Sequence, residues 1–280
     1  MTRRLYWDDP YQTSFEGTIV EKTSDGIVLD KTAFFPQGGG QDCDKGYFLH
    51  ESASINVLRV YSDEGEIIHK IPKNYWSSLS IGDTIKGIIN WEHRYNLMKA
   101  HSSQHIISAI VLNEYEIGTS KAYISSGVVA LQFDHELDFD QFRDTLLKAN
   151  SHFASNNVEI ISKMVSHADL KKIKGTIRGE IPEKEPIRLI ISKDIDVICC
   201  GGTHVQNSIE IGPIFIYDFK KGNEIKYYVG HKAVQALSHL NMDSLEIGNQ
   251  INIKLLEFKD KIKEKLSNLM ALNEYVKIVS

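Results

Sequence analysis

His101-Ser102-Ser103-Gln104-His105 and Cys200-Gly201-Gly202-Thr203-His204 are two halves of one pattern. Each holds two metal-ligating side chains four positions apart. Helical residues four apart share a face, so His101 and His105 can grip one ion. In the second half Cys200 ends a predicted strand. Gly201 and Gly202 let the backbone bend sharply enough to return His204 beside Cys200. Three imidazoles and one thiol are the ligand set of a tetrahedral zinc site. One Zn2+ per chain is therefore expected on His101, His105, Cys200 and His204, against the plainer reading of a core histidine pair near a buried cysteine. Four protein ligands suit a structural site and a histidine-rich set suits catalysis, so ligand chemistry leaves that choice open. The metalloprotease pattern has Glu directly after its first His. Ser102 stands there instead, which disfavours protease activity.

Upstream of this pattern, short alternating runs dominate residues 1–88. Phe15 to Glu21 and Gly26 to Asp30 flank the turn signal Ser24-Asp25-Gly26, and Ile55 to Tyr61 and Glu66 to Ile71 flank Asp63-Glu64-Gly65. Turns every ten or so residues predict a small β-barrel or sandwich. Asn90 is placed to cap a helix from about Trp91 to Asn113 that carries His101 and His105. A second helix is predicted over 138–156, with Phe139, Phe142, Leu146 and Phe153 on its buried side. Strands Arg188 to Ser192 and Asp194 to Cys199 feed the glycine turn. A hairpin is predicted around Lys221-Gly222-Asn223, followed by a helix near His231. Ile251, Leu255, Phe258, Ile262, Leu269, Leu272 and Val276 alternate steps of three and four, a short heptad pattern interrupted by Lys265.

The chain has 280 residues, 42% hydrophobic and 25% charged, which suits a globular protein with a sizeable core. No apolar run is long enough for a transmembrane helix, and the N-terminus lacks a signal-peptide core, so the expected location is cytoplasmic and no membrane partner is expected. Three cysteines, Cys43, Cys199 and Cys200, are too few for a secreted disulfide scaffold. The net charge of −5 argues against a generic nucleic-acid binder but allows a local basic face, for which Arg94, Lys99 and the Lys171 to Lys184 segment are candidates.

The two metal-site halves do not stand alone. Leu29-Asp30-Lys31-Thr32-Ala33-Phe34-Phe35-Pro36-Gln37-Gly38-Gly39-Gly40-Gln41, the block from Asp194 to Pro213, and Tyr6-Trp7-Asp8-Asp9-Pro10-Tyr11 complete a recognisable set. Over residues 5–235 the chain resembles the editing domain of alanyl-tRNA synthetase and its freestanding relatives, the AlaX trans-editing proteins, in their longer form. Gly39-Gly40-Gln41 also matches the tripeptide of peptide-chain release factors, but acidic Asp42 and Asp44 follow it and no wider similarity does. Editing of threonyl tRNA by a related domain is disfavoured by the glycine-rich block.

The resemblance implies a zinc-dependent deacylase acting on alanine tRNA carrying serine, and in the longer forms also glycine. Serine differs from alanine by one hydroxyl, which an apolar pocket rejects only about 100-fold, so a second hydrolytic site is needed. The implied architecture is α+β: a β-barrel-like domain over 1–88 with the glycine-rich motif, a two-layer α/β editing domain over 89–240 with the zinc site, and a coiled-coil-like helix over 241–280. The tail is a candidate homodimer contact. Gln104 and Thr203 lie within the metal segments and are candidate catalytic residues. Thr32 is a candidate sensor of the serine hydroxyl. Gly38, Gly39, Gly40 and Gln41 are candidate substrate contacts through backbone N–H groups brought close to the tRNA terminus. With no aminoacylation module before the barrel, the chain is expected to correct rather than charge tRNA. It leaves no room for the further C-terminal domain of longer members, as a shorter natural form or a truncated chain would.

Overall fold

The first ninety residues build a curled antiparallel sheet. The structure is a computed structural model that describes residues 1–173 and 175–279, with residues 271–279 described by backbone alone. Lys174 and the side chains of Leu272 and Val276 thus lie outside the described residues. The sheet's strands are β1 (Ser14–Lys22), β2 (Ile27–Leu29), β3 (Gly46–His50), β4 (Ala53–Val57), β5 (Arg59–Asp63), β6 (Glu66–Lys70) and β7 (Thr84–Ile89), in spatial order β4-β3-β7-β1-β2-β6-β5. β1 pairs with β7 through its first half and with β2 through its second, with an irregularity between Ile19 and Glu21. Such a bulge bends a strand and increases its twist. The curl closes over a core of Phe15, Ile19, Phe34, Phe48, Ile55 and Ile67.

The sheet stays open: β4 and β5 are its two edges. Only Leu58 separates them in sequence, too short a link for a hairpin. Its N–H bonds the carbonyl of Lys70, which starts the chain along the opposite edge. The domain is therefore a half-barrel, not a closed barrel.

Helix α1 (Trp91–Tyr115) follows at once. The Asn90 side chain accepts a 3.0 Å hydrogen bond from the His93 N–H, the cap its sequence position predicts. Every residue from His101 to Val111 is buried. The helix is thus enclosed on all faces rather than along one stripe. It packs on the four-stranded sheet β8 (Thr119–Ser125), β9 (Val128–Phe133), β13 (Phe215–Lys220) and β14 (Glu224–Tyr228), in order β8-β9-β14-β13, and on α2 (Phe139–Ala154). Asp138 and Gln141 form a capping box at the start of α2. Phe142 and Phe153 are buried as predicted. Phe139, at the first helical position, is 65% exposed, because the turn that starts a helix has not yet rotated its side chain toward the core. A third sheet, β10 (Ile160–Val165), β11 (Ile187–Ser192) and β12 (Asp196–Cys199), leads into the glycine turn.

The chain divides into two compact units, Met1–Ala233 and Val234–Ser280. Helix α3 (Gly230–Gln250) begins in the first, and α4 (Phe258–Val279) lies in the second. The heptad pattern reads as one helix, but the helix stops after Gln250. Asn252 is left-handed at φ 53°, the Ile253 N–H bonds the Gly248 carbonyl and the Asn252 N–H bonds the Asn249 carbonyl. This is a Schellman stop with Asn in the position glycine usually takes. Ile251 therefore falls outside both helices.

One buried ion pair joins the half-barrel to α1. Arg94, fully buried, donates from Nε to Asp44 Oδ1 at 2.7 Å, from Nη1 to the Pro10 carbonyl at 2.8 Å, and from Nη2 to the Ala33 carbonyl and to Asp44 Oδ2. Arg94 is therefore no part of a basic surface, contrary to the sequence expectation. Arg178 is likewise committed, paired with Asp196 at 2.7 and 2.5 Å. Removing one partner of a buried pair strands the other charge. Asp44→Ala is expected to cost about 3–5 kcal/mol of unfolding free energy, read from urea denaturation against wild type.

Candidate metal centre

The two halves of the sequence pattern meet. His101 and His105 project from one face of α1, and the loop after β12 brings Cys200 and His204 against them. One ligand atom from each of the four residues lies within 4.8 Å of every other. Cys200 Sγ is 3.5 Å from His101 Nε2 and 3.4 Å from His204 Nε2. A tetrahedral zinc with usual Zn–N and Zn–S lengths separates sulfur and nitrogen by about 3.6 Å. The donor set and its spacing therefore fit a zinc ion. His105 Nδ1 is buried without a hydrogen-bond partner, an orphan atom in a site otherwise well bonded. Burial pushes the His101 pKa down to about 3, and burial with the neighbouring imidazoles and arginines holds His105 and His204 well below the ordinary range. All three rings are neutral at pH 7, as metal ligation requires.

Gln41 fixes the geometry. Its Oε1 accepts from the Thr203 N–H at 3.1 Å, and its Nε2 donates to Thr203 Oγ1 at 2.9 Å. The backbone donor settles which end of the amide is oxygen. His101 Nδ1, 2.7 Å from that same oxygen, must then carry its proton. The lone pair is left on Nε2, which faces the sulfur. His204 Nδ1 contacts Ser102 Oγ at 3.2 Å, and Ser102 also accepts the Val205 N–H at 3.1 Å. Arg188 Nη1 bonds the carbonyls of Cys200 and Gly202, both at 2.8 Å, and braces the loop. A Cβ on Gly202 would overlap the His101 ring, so the second glycine serves close approach as much as bending.

The glycine-rich block reaches the site through its turn. Gly38 and Gln41 bond each other's backbone, with Gly39 and Gly40 at φ 58° and 81°. That is the signature of a tight turn with two left-handed positions. Gly40 is hemmed in by the Ala122 carbonyl, 2.5 Å from where a Cβ would stand. A cleft of about 390 Å³ opens over the metal centre, lined by His101, Gln104, His105 and Cys200 and, across it, by Gly38 and Gly39. Gln104 donates to Ser108 Oγ at 2.9 Å. Thr203 is fully buried and spent on Gln41. Gln41 is buried behind His101, and neither Gln41, Gly40 nor Thr203 lines the cleft. Thr32 also lies outside its lining. The Thr32 hydroxyl accepts the Phe34 N–H at 3.1 Å and stands 2.9 Å from His69 Nε2 inside the half-barrel.

Ser102 and Arg188 escape a reading by ligand spacing. The available signal was a small polar residue beside a ligand on an enclosed helix, and a lone charge opening an apolar strand.

Residues 9–93 match the family model for class II (A) tRNA synthetases, and residues 187–226 match that for the threonyl and alanyl tRNA synthetase second additional domain. The alanyl-tRNA editing protein AlaX-M of Methanosarcina barkeri is 32% identical over 241 residues, covering 81% of this chain and 98% of the relative. AlaX-L of Pyrococcus horikoshii is 29% identical over 289 residues, covering 96% of this chain and 69% of the relative. The alanine–tRNA ligase of Saccharolobus islandicus is 31% identical over 283 residues, and the match spans 31% of the ligase.

Two outcomes are expected. Gln41→Ala frees the His101 ring and should weaken zinc about 10–100-fold in a chelator competition, while leaving the chain folded. His69, buried with its pKa lowered by desolvation to about 4, is neutral in the folded protein and ordinary, near 6.5, when unfolded. The unfolded state takes up the proton first on acidification. Stability from this residue is complete above pH 6.5 and falls between 6.5 and 4, by up to about 1.4 kcal/mol per pH unit. Urea midpoints at pH 7, 5.5 and 4.5 should drop less for His69→Phe than for wild type.

Proposed function

The chain belongs to the AlaX-type alanyl-tRNA editing proteins, and from that premise we propose that it hydrolyses, in trans, the ester bond of alanine tRNA carrying serine, and of the glycyl form. The carrying observation is that four candidate ligand atoms from two distant segments converge beside a cleft that three of their residues line and a glycine turn faces. Zinc held by His101, His105, Cys200 and His204 would supply Lewis-acid charge to the ester carbonyl. The chain's own residues do the rest. Gln41 and Ser102 hold the His101 and His204 rings in place, so the site needs no rearrangement to act. Gly38 and Gly39 leave backbone rather than side chains on the facing wall, which lets a polar acyl group approach closely. Gln104 lines the cleft beside the ligands, which supports reading it as the amide that contacts the substrate. Thr203 acts through Gln41, as a positioning residue. Thr32 supports the wall from within the half-barrel, by way of Phe34.

Discrimination belongs to the cleft: an editing site must accept serine and glycine and spare the correct alanyl ester. With purified zinc-loaded protein, seryl and glycyl esters of alanine tRNA should be cleaved well above background and the alanyl ester slowly. Chelation, or His101→Ala, should return the rate to background. Intact seryl-tRNA in the presence of bound tRNA would instead favour a binding module with a structural zinc.

A further inference from the structure

Trp7 stands where three cavities meet. The cleft over the metal centre and a larger cavity of about 550 Å³ share Arg4, Trp7, Cys200 and Gly201 in their walls. A third cavity, of about 340 Å³, reaches Trp7, Arg188 and His204. The Trp7 indole N–H donates to the Gly201 carbonyl at 2.9 Å across 194 positions of sequence, which fixes the ring plane one residue from a metal ligand. The Arg4 guanidinium lies over the indole, 4.4 Å from its centroid. Both side chains are half-buried and border open cavity. Trp7 also packs against the half-barrel core, and its ring still borders all three cavities.

Arg188 supplies an independent observation. It is 5% exposed, yet no carboxylate pairs with it among the described residues. Nη1 is spent on the Cys200 and Gly202 carbonyls, and Nε is buried with no partner at all. A buried guanidinium without an anion is costly. This one lines both the 550 Å³ cavity and the third cavity. Glu185, in the wall of the larger cavity, is already held by the His167 N–H and ring.

We propose that Arg4, Trp7 and Arg188 form the subsite for the 3′-terminal nucleotide of the acylated RNA, with its base stacked on the Arg4–Trp7 pair and its phosphate on Arg188. The inference rests on the editing reading above and adds where the nucleotide is held. Bases that are out of a helix are bound by stacking on aromatic rings and guanidinium planes, and phosphate by arginine. The ester of a charged tRNA sits one ribose from the terminal base, and the indole sits one residue from the metal loop. The two spacings suit each other.

The test uses the full zinc-loaded chain. Seryl-tRNA deacylation is measured over a range of substrate for wild type, Trp7→Ala and Trp7→Phe. Stacking on one base gives an expected rise in KM of about 10-fold for Trp7→Ala with kcat nearly kept, and only a small rise for Trp7→Phe, which retains an aromatic face. An unchanged KM overturns the subsite and leaves the editing reading standing. So does a loss confined to kcat, which would assign Trp7 to bracing the Cys200 loop alone. If wild type cleaves no ester, the editing reading fails, and the subsite is judged by binding. The trinucleotide CCA should quench tryptophan emission in wild type and not in Trp7→Phe. Equal quenching in both proteins, or none in wild type, overturns it.

Discussion

Arg94 is the constraint to which the first unit answers. A guanidinium with no exposure must find an anion and acceptors for its remaining donors, and it finds them in three places at once: Asp44, the Ala33 carbonyl and the Pro10 carbonyl. Those contacts come from the loop before β3, the glycine-rich block and the N-terminal segment. A pair of this kind contributes less to net stability than its strength suggests, since desolvation consumes much of the attraction. Its value is in specification. Docked any other way, α1 would leave a buried charge unmatched. With α1 docked this way, His101 and His105 point at the one place where the glycine turn and the Cys200 loop can both arrive.

The same logic recurs at smaller scale in Gln41. A neutral amide bonded to one backbone N–H, one hydroxyl and one imidazole converts the position of the glycine turn into the tautomer of His101, a candidate metal ligand. The half-barrel and the metal region are thereby chemically coupled. Distortion of the turn at Gly39 and Gly40 is transmitted to His101 through Gln41 alone.

The features readable from sequence were those with a local cause. Asn90 caps α1, and Lys221-Gly222 turns the β13–β14 hairpin through two left-handed positions, because capping and turn chemistry act over a few residues. The convergence of His101, His105, Cys200 and His204 was readable because paired imidazole and thiol donors at a spacing of four are rare by chance. What escaped depends on partners distant in sequence. Nothing near Arg94 announces that Asp44 waits fifty positions earlier. Gln41 reads as part of a substrate loop until Thr203 is seen beside it. The half-barrel stays open because of the path taken at Leu58, and alternation alone cannot say whether edge strands meet. The heptad count ran through Asn252 because a left-handed stop is expected at glycine, and here asparagine makes it.

The separation between the two halves of the metal centre also has a consequence during synthesis. His101 and Cys200 lie 99 positions apart. At ordinary elongation rates the ribosome needs roughly 5–20 s to traverse that interval. Throughout it α1 exists without the loop that covers its ligand face, and Trp7 waits for the Gly201 carbonyl. For that period the residues from His101 to Val111, buried in the folded chain, lack the cover that the later segment supplies. The histidine half of the candidate centre thus exists for that interval before the thiol that completes the set has been made.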